Sequence, residues 1–298
     1  MGLVWASVLG GSLYVCLGER GAADKGNLLH LVAASTPSLP STEKETGATI
    51  ESGVEAVRWC ENYYIKQVYR FAMPWCREAA LTGDAASQYR LGRMFAEGKS
   101  VPRDDERAFM WIERAAKQKY AKAQYHLGKF YEMGTGTTQS IKQAYEWYLL
   151  AAYQGNAAAQ YHLGELYGTG VTIPLDFKKA ISWYEKAANQ GYAAAEYKLG
   201  LKYENGDGLP QDDTKATFWY EKAAEHGHPT AQYKLGKIHF TGQGVEQSDI
   251  EAYKWVLIYK ANVGLYPDYK RRVKAKFSPR ELIEPQKRAQ AWLKKYAR

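Results

Sequence analysis

Residues 193–227 read AAAEYKLGLKYENGDGLPQDDTKATFWYEKAAEHG, and the fold is decided by how often that stretch returns. Its Leu199-Gly200 pair recurs without drift as Leu91-Gly92, Leu127-Gly128, Leu163-Gly164 and Leu235-Gly236, a period of 36 residues. The tryptophans keep the same interval at Trp111, Trp147, Trp183, Trp219 and Trp255, and Trp75 extends it one step towards the N-terminus. Self-similarity at this spacing is the mark of a repeat architecture in which each unit buries its apolar face against its neighbours. Five full units and one degenerate unit are expected.

Within a unit, Ala195, Leu199 and Tyr203 lie four apart and form one apolar face of a helix, here helix A. Ala180, Trp183, Tyr184, Ala187 and Ala188 follow the i, i+3, i+4, i+7, i+8 rule and make a second helix, B. Glycines sit between the two, at Gly134/Gly136, Gly170, Gly206/Gly208 and Gly242/Gly244. At one fixed offset after that loop come Asp104, Ser140, Asp176, Asp212 and Ser248, each an N-cap type for helix B. Gly155, Gly191 and Gly227 suit the left-handed residue after helix B ends. A glycine inside helix A costs about 1 kcal/mol relative to alanine. Gly92, Gly128, Gly164, Gly200 and Gly236 should therefore mark close approach of a neighbouring helix, with the indoles acting as wedges against small residues.

The run Ala193–Gly208, then Asp212, then Lys215-Ala216 through Trp219-Tyr220, Lys222-Ala223-Ala224 and Gly227, resembles the Sel-1-like repeat, a longer relative of the tetratricopeptide repeat. The resemblance is strong over residues 84–262 and weak over 49–83. It implies an all-α, right-handed α/α superhelix whose A helices line a concave binding groove, and a protein that holds other proteins. Departures are Lys119 at the usual helix-ending glycine, Leu149-Leu150 for the common Glu-Lys, and Tyr259-Lys260 for Ala-Ala. The expected organisation is an export signal over 1–18, a flexible linker over 19–49, the degenerate unit over 50–84, five units over 85–264, and basic capping helices over 265–298.

The flanks carry their own signals. Leu3–Leu17 is a 15-residue apolar stretch, short of the ~20 residues that cross a bilayer, and resembles the core of a secretory signal ending at Cys16-Leu17-Gly18. This reading places the mature chain in the periplasm or outside the cell, with no transmembrane span; a different start would leave it cytoplasmic. Under export Cys60 and Cys76 are able to pair and tie the first hairpin; the alternative reading is two buried free thiols. Three cysteines cannot form a disulfide framework or a four-thiolate zinc site. The formal charge of +8 belongs to the tail: residues 259–298 hold 12 Lys/Arg against 3 Asp/Glu, which leaves −1 for the rest. There Ser278-Pro279-Arg280-Glu281 has the form of a capping box opening a last helix with Leu282, Ala289, Trp292 and Tyr296 along its apolar stripe. The basic run Lys270-Arg271-Arg272-Val-Lys274-Ala-Lys276 is either the solvated face of that cap or a contact for an anionic surface.

No catalytic pattern is present: there is no Gly-x-Ser-x-Gly, no His-Glu-x-x-His and no phosphate loop after a strand. No cofactor is implied, and His126 and His162 lack a third partner for a metal. His226-Gly-His228 fits an interaction with the last carbonyls of a helix, and the Tyr89, Tyr125, Tyr161, Tyr197, Tyr233 column fits packing between units. Wheel arithmetic turns three helix A columns away from the core. They hold Arg90, His126, His162, Lys198 and Lys234; Arg93, Lys129, Glu165, Leu201 and Lys237; and Ala86, Lys122, Ala158, Ala194 and Thr230. Nine of these fifteen are His, Lys or Arg and one is acidic, so the expected function is a non-enzymatic scaffold for proteins with an acidic segment. The alternatives are an anion binder taking acidic polysaccharide or nucleic acid through groove and tail, and, more remotely, an enzyme. Sequence-specific nucleic-acid recognition is not expected, for want of a basic motif interleaved with aromatics.

Overall fold

The computed structural model describes residues 6–9, 12–15 and 49–296. The expected linker therefore lies almost wholly outside the described residues, as does much of the expected signal. Within the N-terminal unit, β1 (Ala6–Leu9) and β2 (Ser12–Val15) pair antiparallel with Leu9 opposite Ser12.

The second unit is helical throughout. Six antiparallel hairpins follow one another: α1 (Thr49–Ile65) with α2 (Tyr69–Leu81), α3 (Ala85–Glu97) with α4 (Asp105–Lys117), and α5 (Ala121–Met133) with α6 (Ile141–Tyr153). Then come α7 (Ala157–Thr169) with α8 (Phe177–Ala188), α9 (Ala193–Asn205) with α10 (Asp213–Glu225), and α11 (Pro229–Thr241) with α12 (Asp249–Val263). Each helix packs against the next in order, so the hairpins stack as a solenoid. Capping is periodic: Asp104, Asp176 and Asp212 each accept a 2.9 Å bond from the backbone N–H three residues on, and Ser140 and Ser248 do so at 3.3 Å.

Tyrosine, not tryptophan, fills the space above the helix A glycines. A methyl built on Gly164 or Gly200 would lie 2.5 Å from a ring carbon of Tyr184 or Tyr220 on helix B of the same hairpin. Tyr148 covers Gly128 in the same way, and Ile112 covers Gly92. Neighbouring helical positions are turned by about 100°, so the Trp one residue earlier cannot share that face. It turns instead towards helix B of the preceding unit, as Trp183 does with its edge 5.7 Å from Tyr153. Trp183 and Trp255 are buried there, whereas Trp75, Trp111, Trp147 and Trp219 are half-buried. Tyr148, Tyr184 and Tyr220 are among the largest fully buried side chains of the chain.

A second periodic device joins the hairpins. The side-chain amides of Gln88, Gln124, Gln160 and Gln232 donate to the carbonyls of Ala80, Ala116, Ala152 and Ala224 in the preceding helix B. Their oxygens accept from Gln118, Gln154, Gln190 and Asn262, at 2.6 to 3.0 Å. Buried polar side chains with both functions satisfied fix the register of one unit on the next.

At the ends the period gives way. Cys60 and Cys76 are joined by a disulfide between α1 and α2. After α12, α13 (Lys270–Lys274) and α14 (Ile283–Tyr296) pack on α12, with Trp292 5.4 Å from Trp255 and the Tyr296 hydroxyl donating to Glu225 at 2.9 Å. Only half of the Ser278–Glu281 box forms: Glu281 accepts from both the backbone and the hydroxyl of Ser278, while its own N–H donates to the Ser278 carbonyl, and the helix opens later, at Ile283. Pro285 explains the delay: it has no N–H to donate to the carbonyl of residue 281, so it is accommodated only in the first turn.

Two outcomes follow from these contacts. Tyr220→Ala removes a fully buried ring and should cost about 3–5 kcal/mol, with Trp219→Ala costing half of that or less; equal losses in chemical denaturation would contradict the assignment of the wedge to tyrosine. Lys119 sits at φ 63°, in the left-handed region that Gly155, Gly191 and Gly227 occupy in the following units. Lys119→Gly should therefore stabilise the chain by about 0.5–1 kcal/mol, seen as a higher melting temperature.

Candidate functional site

The three outward columns of helix A come together along one side of the stack, but most of their charges are already engaged. Arg90 reaches back to Glu61 at 2.7 Å, Lys198 to Glu165 at 2.7 Å and Lys234 to Glu204 at 2.6 Å. His162 Nδ1 stands 3.6 Å from Glu132, and its ring stacks on Tyr148 at 4.9 Å. In each case the cation belongs to one unit and the carboxylate to the unit before it. The same carboxylates accept from the wedge tyrosines: Tyr148 donates to Glu132 at 2.5 Å, Tyr184 to Glu165 and Tyr220 to Glu204. A Tyr–Glu pair thus meets the next unit at three successive junctions, through a lysine at two of them and through the His162 imidazole at the third.

The electrostatics follow from this geometry. Burial pushes the three tyrosine hydroxyls far above their usual range, and the accepting carboxylates push them further. Burial would also raise Glu204, but the bonds from Lys234 and Tyr220 outweigh it and hold its carboxyl below the ordinary value. For His162, burial lowers the pKa against the pull of Glu132.

Arg93 and His126 meet on the same face, each half-buried. Arg93 Nη1 donates to the Tyr89 hydroxyl at 3.0 Å and lies 2.9 Å from His126 Nε2, while its other donors pair with Glu97. His126 Nδ1 lies 2.9 Å from the carbonyl of Lys122. An arginine cannot accept, so Nε2 is the acceptor and Nδ1 carries the proton, which makes His126 neutral. Burial, then the guanidinium, lower its pKa from 6.5 to about 4. Tyr125 stands beside both histidines, 4.9 Å from His126 and 5.7 Å from His162. Among the described residues no cluster of three metal-binding side chains occurs.

Of the nine cationic groove positions, Lys122, Lys129 and Lys237 have no ion pair among the described residues, and Lys122 and Lys237 are exposed. The carboxylates Glu61, Glu132 and Glu204 were not foreseen as part of this face. Their signal was present, since Glu132 and Glu204 share one repeat position two periods apart. The histidines after α10 also differ from expectation. His226 Nδ1 lies 2.8 Å from buried Glu196, not on the helix-end carbonyls, because this pair replaces the Gln–Gln step used at the other junctions. His228 caps α11 by accepting from the Ala231 N–H and stacks on Tyr197 at 4.4 Å. Tyr89 and Tyr161 pack on Tyr120 and Tyr192. In the tail, Lys276 pairs with Asp249 at 2.9 Å and Lys270 lies 3.0 Å from the centre of the Tyr266 ring.

A stack of helical hairpins joined by unit-to-unit ion pairs is an α-solenoid repeat protein. Compared with known families, residues 85–120, 121–156, 157–192, 193–228 and 229–257 match the Sel1 repeat, and the chain belongs to that family. Among solved structures it is similar to a Sel1 repeat protein from Oxalobacter formigenes, with 29% identity over 81% of this chain and 98% of that one and a TM-score of 0.68. It is also similar to c5321, a protective antigen of uropathogenic Escherichia coli with the same repeat fold: 25% identity, 84% and 62% coverage, TM-score 0.54. The immunity protein PA5088 of Pseudomonas aeruginosa is alike in fold alone, at 17% identity, 69% and 82% coverage and a TM-score of 0.51. No curated protein matches the chain. Sel1 repeat proteins generally mediate protein–protein interaction, and their scaffolds are typically non-enzymatic. Among the described residues no helix is long and apolar enough to cross a membrane.

The neutral His126 gives a pH prediction. Its pKa is lower folded than unfolded, so its contribution is full above about 6.5 and is lost as pH falls towards about 4. His126→Gln, whose carbonyl can still accept from Arg93, should show a smaller drop in melting temperature between pH 7 and pH 5 than the parent chain. An identical drop would mean that His126 is not held neutral.

Proposed function

We propose that the chain is a non-enzymatic scaffold that holds one or more proteins along its row of A helices, working in the cell envelope or outside the cell. The observation that carries this reading is a division of labour within the repeat. Positions that pack between units are filled by the same few residue types, whereas the outward A columns change in character from unit to unit: Ala86, Lys122, Ala158, Ala194 and Thr230 in one, Arg93, Lys129, Glu165, Leu201 and Lys237 in another. Variation at exposed, regularly spaced positions is how a solenoid acquires a particular partner on a constant frame. Lys122, Lys129 and Lys237 are the cations available to an acidic segment of that partner. The internal pairing of Arg90, Lys198 and Lys234 counts against a general anion binder, because those charges are committed to the stack. The Cys60–Cys76 disulfide supports an oxidising compartment, and the E. coli relative's role as a protective antigen supports an envelope or secreted setting.

Two variants separate binding from stability. Lys122→Glu/Lys129→Glu/Lys237→Glu should keep the helical spectrum and melting temperature while losing the partner captured by crosslinking in the native host. Lys198→Glu/Lys234→Glu should instead lower the melting temperature by several degrees, since it sets like charges together at two junctions. Capture of the same partner in full yield by the triple variant would refute the A-face reading.

A further inference from the structure

On the opposite side of the stack one repeat position of the B helices closes three of the junctions with a ring. Phe109 stands 5.4 Å edge-on to Tyr131, the Tyr145 hydroxyl meets that of Tyr167 at 2.8 Å, and Tyr253 packs 5.7 Å from Phe277. The equivalent residue of the first hairpin is Met73. Ile181 and Thr217 hold this position in the fourth and fifth hairpins, and at the first the thin, unbranched Met73 leaves open what a ring fills at the other three. Between α2 and α4 there remains a cleft of about 490 Å³, floored by Met73, Phe95, Met110 and Trp111. On the other side of Met73 lies a second recess of about 430 Å³, lined by Pro74, by Glu78 and by Leu81, a large apolar side chain left 67% exposed.

Arginines mark the same place. Arg77 lines both recesses and has no ion pair among the described residues. Its repeat position carries Glu113, Leu149, Glu185, Glu221 and Leu257 in the other units, so the positive charge is confined to this junction. Arg103 and Arg107 line the cleft with only solvent-exposed partners, Asp105 and Asp104, pairs that a ligand carboxylate exchanges at small cost. Two apolar hollows on either side of an unpaired guanidinium are complementary to one kind of chain: two apolar side chains flanking an acidic one.

We propose that this B-helix surface docks a peptide segment of a partner protein in which an Asp or Glu is flanked by apolar residues, the carboxylate on Arg77 and the apolar side chains in the two recesses. A peptide suits the site better than a fatty acid: the cleft is open along one side and its rim holds both guanidinium donors and the Asp104 acceptor, whereas a hydrocarbon tail gains most from closed apolar walls. Flexible methionines at such a surface adapt to apolar side chains of different shape. This site stands apart from the A face and does not depend on it.

The test is a heptapeptide display selection on the full oxidised chain, with the enriched peptides then titrated by fluorescence anisotropy. Enriched sequences should share an acidic residue flanked by apolar ones. Met73→Phe, which restores the ring that Phe109 supplies one unit later, should weaken them at least tenfold without lowering the melting temperature. Arg77→Glu, at an exposed position, should do the same independently of how Met73→Phe folds, and Lys122→Glu/Lys129→Glu/Lys237→Glu should leave affinity unchanged. Enrichment of peptides without an acidic residue, affinity indifferent to both Met73→Phe and Arg77→Glu, or binding of laurate without enrichment of any peptide would each overturn the proposal.

Discussion

A tyrosine ring seated where a glycine lacks its side chain holds the three central hairpins closed, and much of the stack is arranged around that contact. The glycine lowers the intrinsic stability of helix A by about 1 kcal/mol, and the large ring it admits returns more than that through buried area. The ring's hydroxyl must then find an acceptor, because an unpaired buried hydroxyl is costly. Glu132, Glu165 and Glu204 supply it, and a carboxylate so placed needs a counter-charge. The next unit provides one in Lys198 and Lys234, and sets the His162 imidazole beside Glu132. Closing a hairpin and docking its successor are thus consequences of one packing decision.

The variants of that contact show that the gap, not the tyrosine, is what must be answered. In the first hairpin Ala56 takes the glycine position and Cys76 the tyrosine position, and the disulfide to Cys60 lies where Glu132 and Glu204 sit in later units. A covalent bond stands in for the hydrogen bond. In the last hairpin Val256 is too short to reach Gly236, and Tyr269 from the following segment covers the glycine, its hydroxyl donating to the Tyr233 carbonyl at 3.1 Å. The end of the array is therefore closed by the chain that leaves it, which gives the basic tail a structural duty in addition to any it has as a surface.

Periodicity made the architecture legible before any coordinates: Leu-Gly and Trp at 36-residue intervals, with Asp or Ser at the cap, leave little freedom in element type or order. What periodicity cannot do is choose between adjacent members of a column that repeats as a pair. Trp183-Tyr184 and Trp219-Tyr220 recur together, and the larger indole is the natural candidate for the wedge until the 100° between neighbours assigns each its own face. The late start of α14 turned on Pro285, a single residue whose missing N–H outweighs the half of a box formed upstream. The candidate face was legible in its positions and not in its net charge. Wheel arithmetic places Lys234 outward, but Glu204 approaches it from a different unit across the junction, and separations of about thirty residues are invisible to a pattern drawn along one helix.

That same distinction bears on where function can reside. Changing a residue inside the Tyr–Glu pairs or their partners in the next unit, or in the glutamine ladder with its Glu196–His226 step, alters the coupling between units, and in a one-dimensional array a weakened interface is felt along the stack. Such positions are poor places for a partner to be specified. Positions that keep the period but make no ion pair across a junction, such as Lys122 and Lys237, are free to vary, and so are positions where the residue type departs from the neighbouring units, such as Met73 and Arg77. The first kind lies along the A helices and the second at the outer junction of the first two hairpins, so the frame leaves two separate surfaces on which recognition can change without disturbing the stack.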